Sequence, residues 1–563
     1  MRITNLEIAN FKGIKNAFIT FPKDSRVVCL IGAGDSTKST ILQAIEWILW
    51  PSWNLPASDS DFFECDTTAP IVLRGTFTEL PEKLLSEDKF GLYLRRTDVP
   101  IKEGKNDEPA DGSPICLTIQ LTIDGSLEPK WEVVCNRNEP KNIALSDRKS
   151  IIADKIGNNC AKDMLWGKFS VLQKYADAKG TIHDVQTSVL RDIAQKADLH
   201  TLDDISKTIK TIGKEYGVGF KGEVTNHMQI QGISLSTTVG LFDEKAPLSQ
   251  RGLGSQRLLS MGLNINASSN NSILLVDEIE TGLEPYRLRS IINELRIKHT
   301  TVGQVIMTTH SPIAVAECTI KELLIVHSAD GTTQCIPLES GDKETDDAMQ
   351  AQIRKNAEAV LCKRIIVCEG KTEQGFIRAL DTYLAREKGI RIAYAGIGTA
   401  DGGGSTAIKC TKLLSSCGYD VCLFMDSDKT EEKVQKDAGI FVFDWEEPNA
   451  IEEQIFNDIP LSLVTKLIAI AIDEYGLDSV KSRLSEIPYT ENDGYLVIDE
   501  MDISLKRSIG TIAKTKKVEW YKRIDLGEKL GNVIFSDFDS IDLNSKLYKV
   551  IKDIINWVIC DDK

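Results

Sequence analysis

Two sets of residues in this 563-residue chain have the types and spacing to do chemistry on phosphates. The first begins with Gly32-Ala-Gly-Asp-Ser-Thr-Lys-Ser-Thr40, after the apolar run Arg26-Val-Val-Cys-Leu-Ile31 and before the helical stretch Ile41 to Trp50. A strand, a Gly-rich loop, Lys-Ser and a helix form a phosphate cradle: amides wrap the phosphates, Lys38 reaches the β and γ groups, and the Ser39 hydroxyl ligates Mg2+. Gly32, Gly34, Lys38, Ser39 and Thr40 are therefore the candidate nucleotide-binding residues here.

Four further pieces follow in fixed order between Leu248 and Pro312. Ser249, Gly252 and Gly254 lie in a Gly-rich turn that runs into an apolar helix, with Arg257 as a further donor toward a phosphate. Ile273-Leu-Leu-Val-Asp-Glu278 delivers Asp277 to a sheet edge to hold Mg2+ through water, with Glu278 placed to orient an attacking water. Glu280 to Pro285 is a loop, and Val305 to His310 is a second buried strand that brings His310 toward a γ-phosphate. Any one piece alone also suits a solvated strand end; their order is what favours a nucleotide. One position departs from the phosphate-loop rule: Thr37 stands where Gly-Lys-Ser is usual, which crowds the loop and bears on turnover more than on binding.

The second set is carboxylate-rich. Arg364 to Cys368 is an apolar strand ending in Glu369-Gly370, and Val421-Cys-Leu-Phe-Met-Asp-Ser-Asp428 ends in Asp-x-Asp, so that period-two alternation puts Asp426 and Asp428 on one side of the chain. If the strands are neighbours, Glu369, Asp426 and Asp428 meet at one edge. Such acids suit two divalent cations, Mg2+ or Mn2+, clamping a scissile phosphate, and Glu452 or Glu453 is placed to add a ligand. Taken singly, Glu369 also suits a helix cap, and the two aspartates suit solvent. Lys506, Arg507, Lys514, Lys516, Lys517, Lys522 and Arg523, with Trp520 and Tyr521 among them, form the densest basic run and a candidate backbone-binding face. Lys522 is the candidate catalytic lysine, and a solvated basic face is the alternative for the others.

The elements that must position these groups imply an α/β chain of several domains, since 563 residues exceed one core. The expected organisation is 1–145 and 236–352 for the two parts of a nucleotide-binding head, with 146–235 inserted as helices and 353–563 as the carboxylate domain. Val185, Val189, Leu190, Ile193, Ala194 and Ala197, then Ile205, Ile209 and Ile212, carry the helical spacing of the insertion, which suits a dimer contact or simple packing on the core. The strands Ile71–Phe77, Ile115–Ile123 and Trp131–Asn136 read as an antiparallel sheet laid beside the core, and Asp59 to Glu64 as a loop, either over the site or on the plain surface. No apolar run reaches a membrane span, and Met1 to Asn10 alternates like a strand, so a cytoplasmic protein without membrane contact is expected. Thirteen scattered cysteines without C-x-x-C spacing read as reduced thiols. A net charge of −16 excludes indiscriminate coating of nucleic acid and confines any such surface to a local patch.

Together, Gly32 to Ser39, Ser249 to Arg257, Asp277-Glu278 and His310 resemble an ABC-type ATPase head of the structural-maintenance and RecF sort, and Glu369-Gly370 with Asp426-Ser-Asp428 resembles a Toprim domain. An ABC-type ATPase head with an inserted helical segment, followed by a Toprim α/β domain with a C-terminal helical extension, is similar to the OLD (overcoming lysogenisation defect) family, which includes the Gabija nuclease and retron-associated effectors. The resemblance implies ATP and Mg2+ or Mn2+ as cofactors and metal-dependent cleavage of double-stranded DNA under ATP control in phage defence. It also implies a homodimer or higher homo-oligomer with ATP held between Lys38 of one subunit and the Ser249 to Gly254 turn of the other. A retron reverse transcriptase with its RNA and DNA, or a helicase, is the defence partner it suggests. The family's later acid and lysine positions fall only loosely on Glu452, Glu453 and Lys522. The alternative is an ATP-switched DNA clamp or repair scaffold with a non-cleaving Toprim domain.

Overall fold

A computed structural model describes residues 1–99, 101, 106–109, 114–157, 160–166, 171–175, 199–230, 237–268, 272–298, 303–427, 441–445, 448–498, 503–515 and 519–560. The chain divides into two compact units, Met1–Gln350 and Ala351–Lys563.

The first unit is built on a 13-stranded sheet. At its centre, Val27–Ile31 lies between Leu323–Ala329 and Gln304–Thr308, and Ser272–Val276 and Ile152–Ile156 continue beyond the latter, all parallel. Val27–Ile31, Ser272–Val276 and Gln304–Thr308 are each buried along all five residues, as strands covered on both faces must be. The antiparallel strands Arg2–Phe11, Ile14–Thr20, Ile71–Thr78, Ile115–Ile123 and Pro129–Val134 do not form a separate sheet beside this core. They are hydrogen-bonded into it, because Ile14–Thr20 pairs in parallel with Thr332–Pro337 at Asn16 and Thr332.

The stretch from 146 onward, read as helical, holds the edge strand Ile152–Ile156 of the main sheet. Its Ile-Ala-Asp-Lys-Ile pattern leaves Ile156 buried while Asp154 takes the Lys174 ammonium. Asp203–Glu215 is the helix carrying Ile205, Ile209 and Ile212, whereas Val185, Val189, Leu190, Ile193, Ala194 and Ala197 lie outside the described residues. Val224–Ile230 and Thr237–Asp243 form an antiparallel pair. Asp59 to Glu64 folds as short turns against the first hairpin: Phe62 bridges to Phe11, and Asp61 takes an ion pair from Lys12 at 3.3 Å.

The second unit has a four-stranded parallel sheet in the order Ile397–Asp401, Arg364–Cys368, Asp420–Phe424, Phe441–Phe443. The chain leaves Arg364–Cys368 through the helix Lys371–Lys388 to one side, then crosses to Asp420–Phe424 on the other. The crevice between those two strands at their carboxyl ends is therefore the topological switch point, where such sheets hold ligands. Helices Leu461–Tyr475, Ile524–Ser536 and Lys546–Ile559 complete its core. Among the described residues no helix is long and apolar enough to cross a membrane, and all thirteen cysteines are free thiols.

Candidate functional site

The nucleotide loop sits where Val27–Ile31 ends and the helix Lys38–Ile48 begins. Gly32 is required there: its φ is 141°, and a Cβ would stand 2.4 Å from the Val326 carbonyl oxygen. Thr37 takes φ 64°, the left-handed conformation that favours glycine, and its hydroxyl reaches Thr333 Oγ1 at 3.0 Å. The departure from Gly-Lys-Ser is thus held by a contact to the neighbouring strand, with backbone strain as its cost. Lys38 is buried and donates to the carbonyl oxygens of Gly32 at 2.9 Å and Ala33 at 2.7 Å and to Ser36 Oγ at 3.0 Å. Burial drives its pKa down to about 8 against the opposing pull of Asp35, Glu280 and Asp277. Gly34 and Ser39 are exposed and Thr40 is half-buried.

Ser39 Oγ donates to Asp277 Oδ1 at 2.9 Å, the same oxygen that takes the Thr308 hydroxyl at 2.7 Å. The loop serine and the strand acid therefore meet, as a shared Mg2+ requires. Glu278, beside it at φ 47°, accepts from the Thr281 hydroxyl at 3.2 Å. His310 is exposed at the end of the adjacent strand, and its imidazole pKa is lowered by burial first and the Lys38 charge second. Ser249 is half-buried and Gly252 exposed at the entry of the helix Leu253–Ala267. A Cβ on Gly254 would meet the Gly282 carbonyl oxygen at 2.5 Å, so glycine is needed for that loop contact. Arg257 is not a phosphate donor: it is fully buried and donates to the carbonyl oxygens of Asp277 at 2.6 Å, Glu278 at 3.0 Å and Gly157.

In the second unit Glu369 and Asp426 meet at the switch point. Asp426 N donates to Glu369 Oε2 at 3.0 Å, and Ile451 N donates to Asp426 Oδ1 at 2.7 Å. The latter bond brings the start of the helix Ile451–Asp458, and with it Glu452, into the crevice. Glu452 is fully buried, and among the described residues its Oε2 has no hydrogen-bond partner. Glu453 turns elsewhere: it caps its own helix at Ala450 N and takes the Lys514 ammonium at 2.6 Å. Asp428 lies outside the described residues.

Sequence reasoning missed Glu373. It stands on the first turn after Glu369-Gly370, buried, with Oε2 accepting from Gly370 N at 2.8 Å. Burial, then the charge of Glu452 and more weakly Glu369, pushes its pKa up to about 7. Burial and the charges of Glu373, Glu452 and Glu369 likewise raise Asp426 well above the carboxylate range. Glu452 is raised by burial against the opposing charge of Lys522. The signal for Glu373 was available as the Gly-x-x-Glu capping pattern at the helix start.

Lys522 faces this cluster from the exposed edge. Desolvation works to lower its pKa, but Glu452, Glu373 and Asp426 outweigh it and the net shift is upward. In the rest of the basic run Arg507 is exposed, while three others already have partners. Lys506 donates to the Ile459 carbonyl oxygen at 2.5 Å, Lys514 pairs with Glu453, Arg523 pairs with Glu474 and Asp525, and Lys516 and Lys517 lie outside the described residues. Trp520 and Tyr521 are fully buried in the core, with Tyr521 Oη donating to the Leu467 carbonyl oxygen at 2.9 Å. They cannot stack on bases.

Four mutually repelling carboxylates, one with an orphaned oxygen, are the donor chemistry a divalent cation relieves. As they stand the acids are gathered without being closed into a ligand shell: among the described residues no three His, Cys, Asp or Glu side chains are arranged to hold a metal ion.

Three family models match the chain, one described as overcoming lysogenization defect protein-like, TOPRIM domain, over residues 360–428. The other two are an AAA ATPase domain over 1–179 and an AAA domain, putative AbiEii toxin, Type IV TA system, over 174–316. These matches are consistent with an ATPase–Toprim protein of the OLD type. The Old nuclease of Escherichia phage P2 is 20% identical over 474 residues, covering 76% of this chain and 77% of that protein. Solved structures similar to this chain include the SMC head domain from Thermotoga maritima, at 15% identity and TM-score 0.31, covering 60% of this chain and 100% of the other. Another is the Smc head domain with an extended coiled coil from Pyrococcus furiosus, at 14% identity and TM-score 0.38, covering 62% and 99%.

Proposed function

We propose that this protein is an ATP-controlled, divalent-metal-dependent DNA endonuclease acting in anti-phage defence. The observation that carries the reading is the convergence of Glu369, Glu373, Asp426 and Glu452, from separate elements, on one switch point faced by Lys522. A bound divalent cation would polarise the scissile phosphate and lower the pKa of an attacking water. Glu369, Asp426, Glu452 and Glu373, with Asp428, are the residues to hold it. Lys522, kept cationic by the acids around it, neutralises a phosphate oxygen as charge develops. The same reading makes the nucleic acid double-stranded DNA.

In the head, Gly32, Gly34, Lys38, Ser39 and Thr40 hold ATP, while Asp277 and Ser39 share its Mg2+. Glu278 orients water and His310 meets the γ-phosphate. Two subunits close over nucleotide through the Ser249, Gly252 and Gly254 turn, and a retron reverse transcriptase or a helicase relays the phage signal. The domain bounds that go with this reading are 1–145 and 236–352 for the head, 146–235 for the inserted segment and 353–563 for the Toprim part.

The absence of a closed ligand shell among the described residues favours a second reading, an ATP-switched DNA clamp whose Toprim domain does not cut. Plasmid nicking with Mg2+ or Mn2+, with and without ATP, separates the two. The nuclease reading expects nicks from the wild type and none from Asp426→Ala, with ATP binding intact in both. Tight ATP-dependent DNA binding without strand breaks at any metal concentration leaves the clamp, and nicking by pure Asp426→Ala protein overturns the site.

A further inference from the structure

The loop after Asp277-Glu278 holds a carboxylate that the reaction as proposed leaves unused. Glu280 Oε2 accepts from the Thr309 hydroxyl and Glu280 Oε1 from the His310 amide, both at 2.6 Å. Thr309 is fully buried, so Glu280 is a fixed partner for it. The same tip is tied at two other points: Glu278 N donates to Thr308 Oγ1 at 2.8 Å and Ile279 N to the Thr308 carbonyl oxygen at 3.0 Å. Residues 277–280 and 308–310 therefore move as one piece.

Two residues on, the loop reaches a second candidate element. Gly282, at φ 74°, has its carbonyl oxygen against Gly254, and a Cβ on Gly282 would meet Leu253 Cγ at 2.8 Å. Any shift of the 280–282 loop is thus felt at the Ser249 to Gly254 turn, because close-packed backbone cannot absorb it. Glu280 is also within the electrostatic reach of Lys38 and His310, pulling the pKa of each upward.

We infer that Glu280 is a positioning residue: it fixes the His310 backbone beside the nucleotide and, through Gly282, links that point to the Ser249 to Gly254 turn. The inference rests on the nucleotide reading of the head, and the experiment separates the two. Wild type, Glu280→Ala, Glu280→Gln and Thr309→Val full-length proteins are compared for ATP affinity, for ATP hydrolysis, and for amide exchange on adding the Mg2+ salt of β,γ-imido-ATP. In Glu280→Ala the affinity stays within about threefold while kcat falls by about 100-fold, the scale of a misplaced catalytic group. Glu280→Gln, which keeps one acceptor, recovers part of kcat, and Thr309→Val, which keeps the His310 contact, loses less.

The imido nucleotide protects residues 32–40 in wild type and Glu280→Ala alike, but protects 249–256 only in wild type. A wild type that binds without hydrolysing is judged on that exchange pattern alone. Unchanged kcat together with equal protection of 249–256 in Glu280→Ala overturns the inference, as does a loss of affinity in step with kcat. Failure of wild type to bind nucleotide overturns the reading of the head, and this role of Glu280 with it.

Discussion

Replacing Glu373 by glutamine tests whether the Toprim acids truly share one electrostatic site. The carboxyl is fully buried, and its pKa rises from 4.5 to about 7. A carboxyl raised in this way contributes stability that is complete below its unfolded value and is lost as pH rises through about 7. At pH 8 the folded protein bears the full cost of ionising it, at most about 3 kcal/mol at 1.36 kcal/mol per unit. It is an upper bound because Glu452 and Asp426 relax when one charge goes. The glutamine amide oxygen still accepts from Gly370 N, so the helix start survives. For a unit the size of Ala351–Lys563, about 2–4 °C per kcal/mol gives a rise of up to about 6–12 °C in Tm at pH 8 without divalent metal, and almost none at pH 4, below the unfolded value. Mg2+ or Mn2+ then raises the Tm of the wild type more than that of the variant. Thermal unfolding of the full chain in EDTA and in metal reads all of this. A variant no more stable than wild type at pH 8, or equally stabilised at both pH values, refutes the shared site.

Two other outcomes follow from single residues. Lys38 has its pKa lowered to about 8, so the nucleotide-free head gains stability as pH rises from about 8 toward 10.5, and a bound triphosphate reverses this by taking up a proton. Calorimetry in buffers of different ionisation enthalpy should find proton uptake near pH 8 and affinity falling above it; pH-independent affinity from 7 to 9.5 without uptake contradicts the burial argument. Trp520→Ala removes a fully buried side chain and should cost about 3–5 kcal/mol of the second unit's stability. Unchanged Tm with weakened DNA binding would instead make Trp520 a stacking surface.

The parts of the fold that could be read from the chain are those whose local pattern has one physical solution. Val27-Val-Cys-Leu-Ile31, Ile273-Leu-Leu-Val276 and Ile365-Ile-Val-Cys368 are unbroken apolar runs of strand length, which suit a sheet covered on both faces. Ile152–Ile156 has no such run, since an edge strand needs only one buried side, and its Asp154 and Lys155 resemble helix surface. The continuity of the great sheet was not legible either. It depends on Asn16 meeting Thr332 across most of the first unit, and no local pattern encodes such a pairing.

The site divides along the same line. Acids at strand ends were legible because strand geometry fixes where the next residue goes, and Glu369 and Asp426 do touch through Asp426 N. Residues delivered by helices were harder. Of two adjacent glutamates, helical rotation sends Glu452 into the crevice and Glu453 out to Lys514. The basic run misled for a different reason: sequence proximity of Lys522, Trp520 and Tyr521 suggests one surface, but burial of the two rings is what orients the lysine. With Trp520 and Tyr521 sunk in the core and the Tyr521 carbonyl oxygen taking the Thr372 hydroxyl at 3.1 Å, the next residue is held over the turn that carries Glu373. The aromatic pair serves the site as its foundation, which is why a change at Trp520 and a change at Lys522 should part company, the first lowering Tm at every pH through the cavity it leaves and the second acting through the charge balance of the acids and so varying with pH.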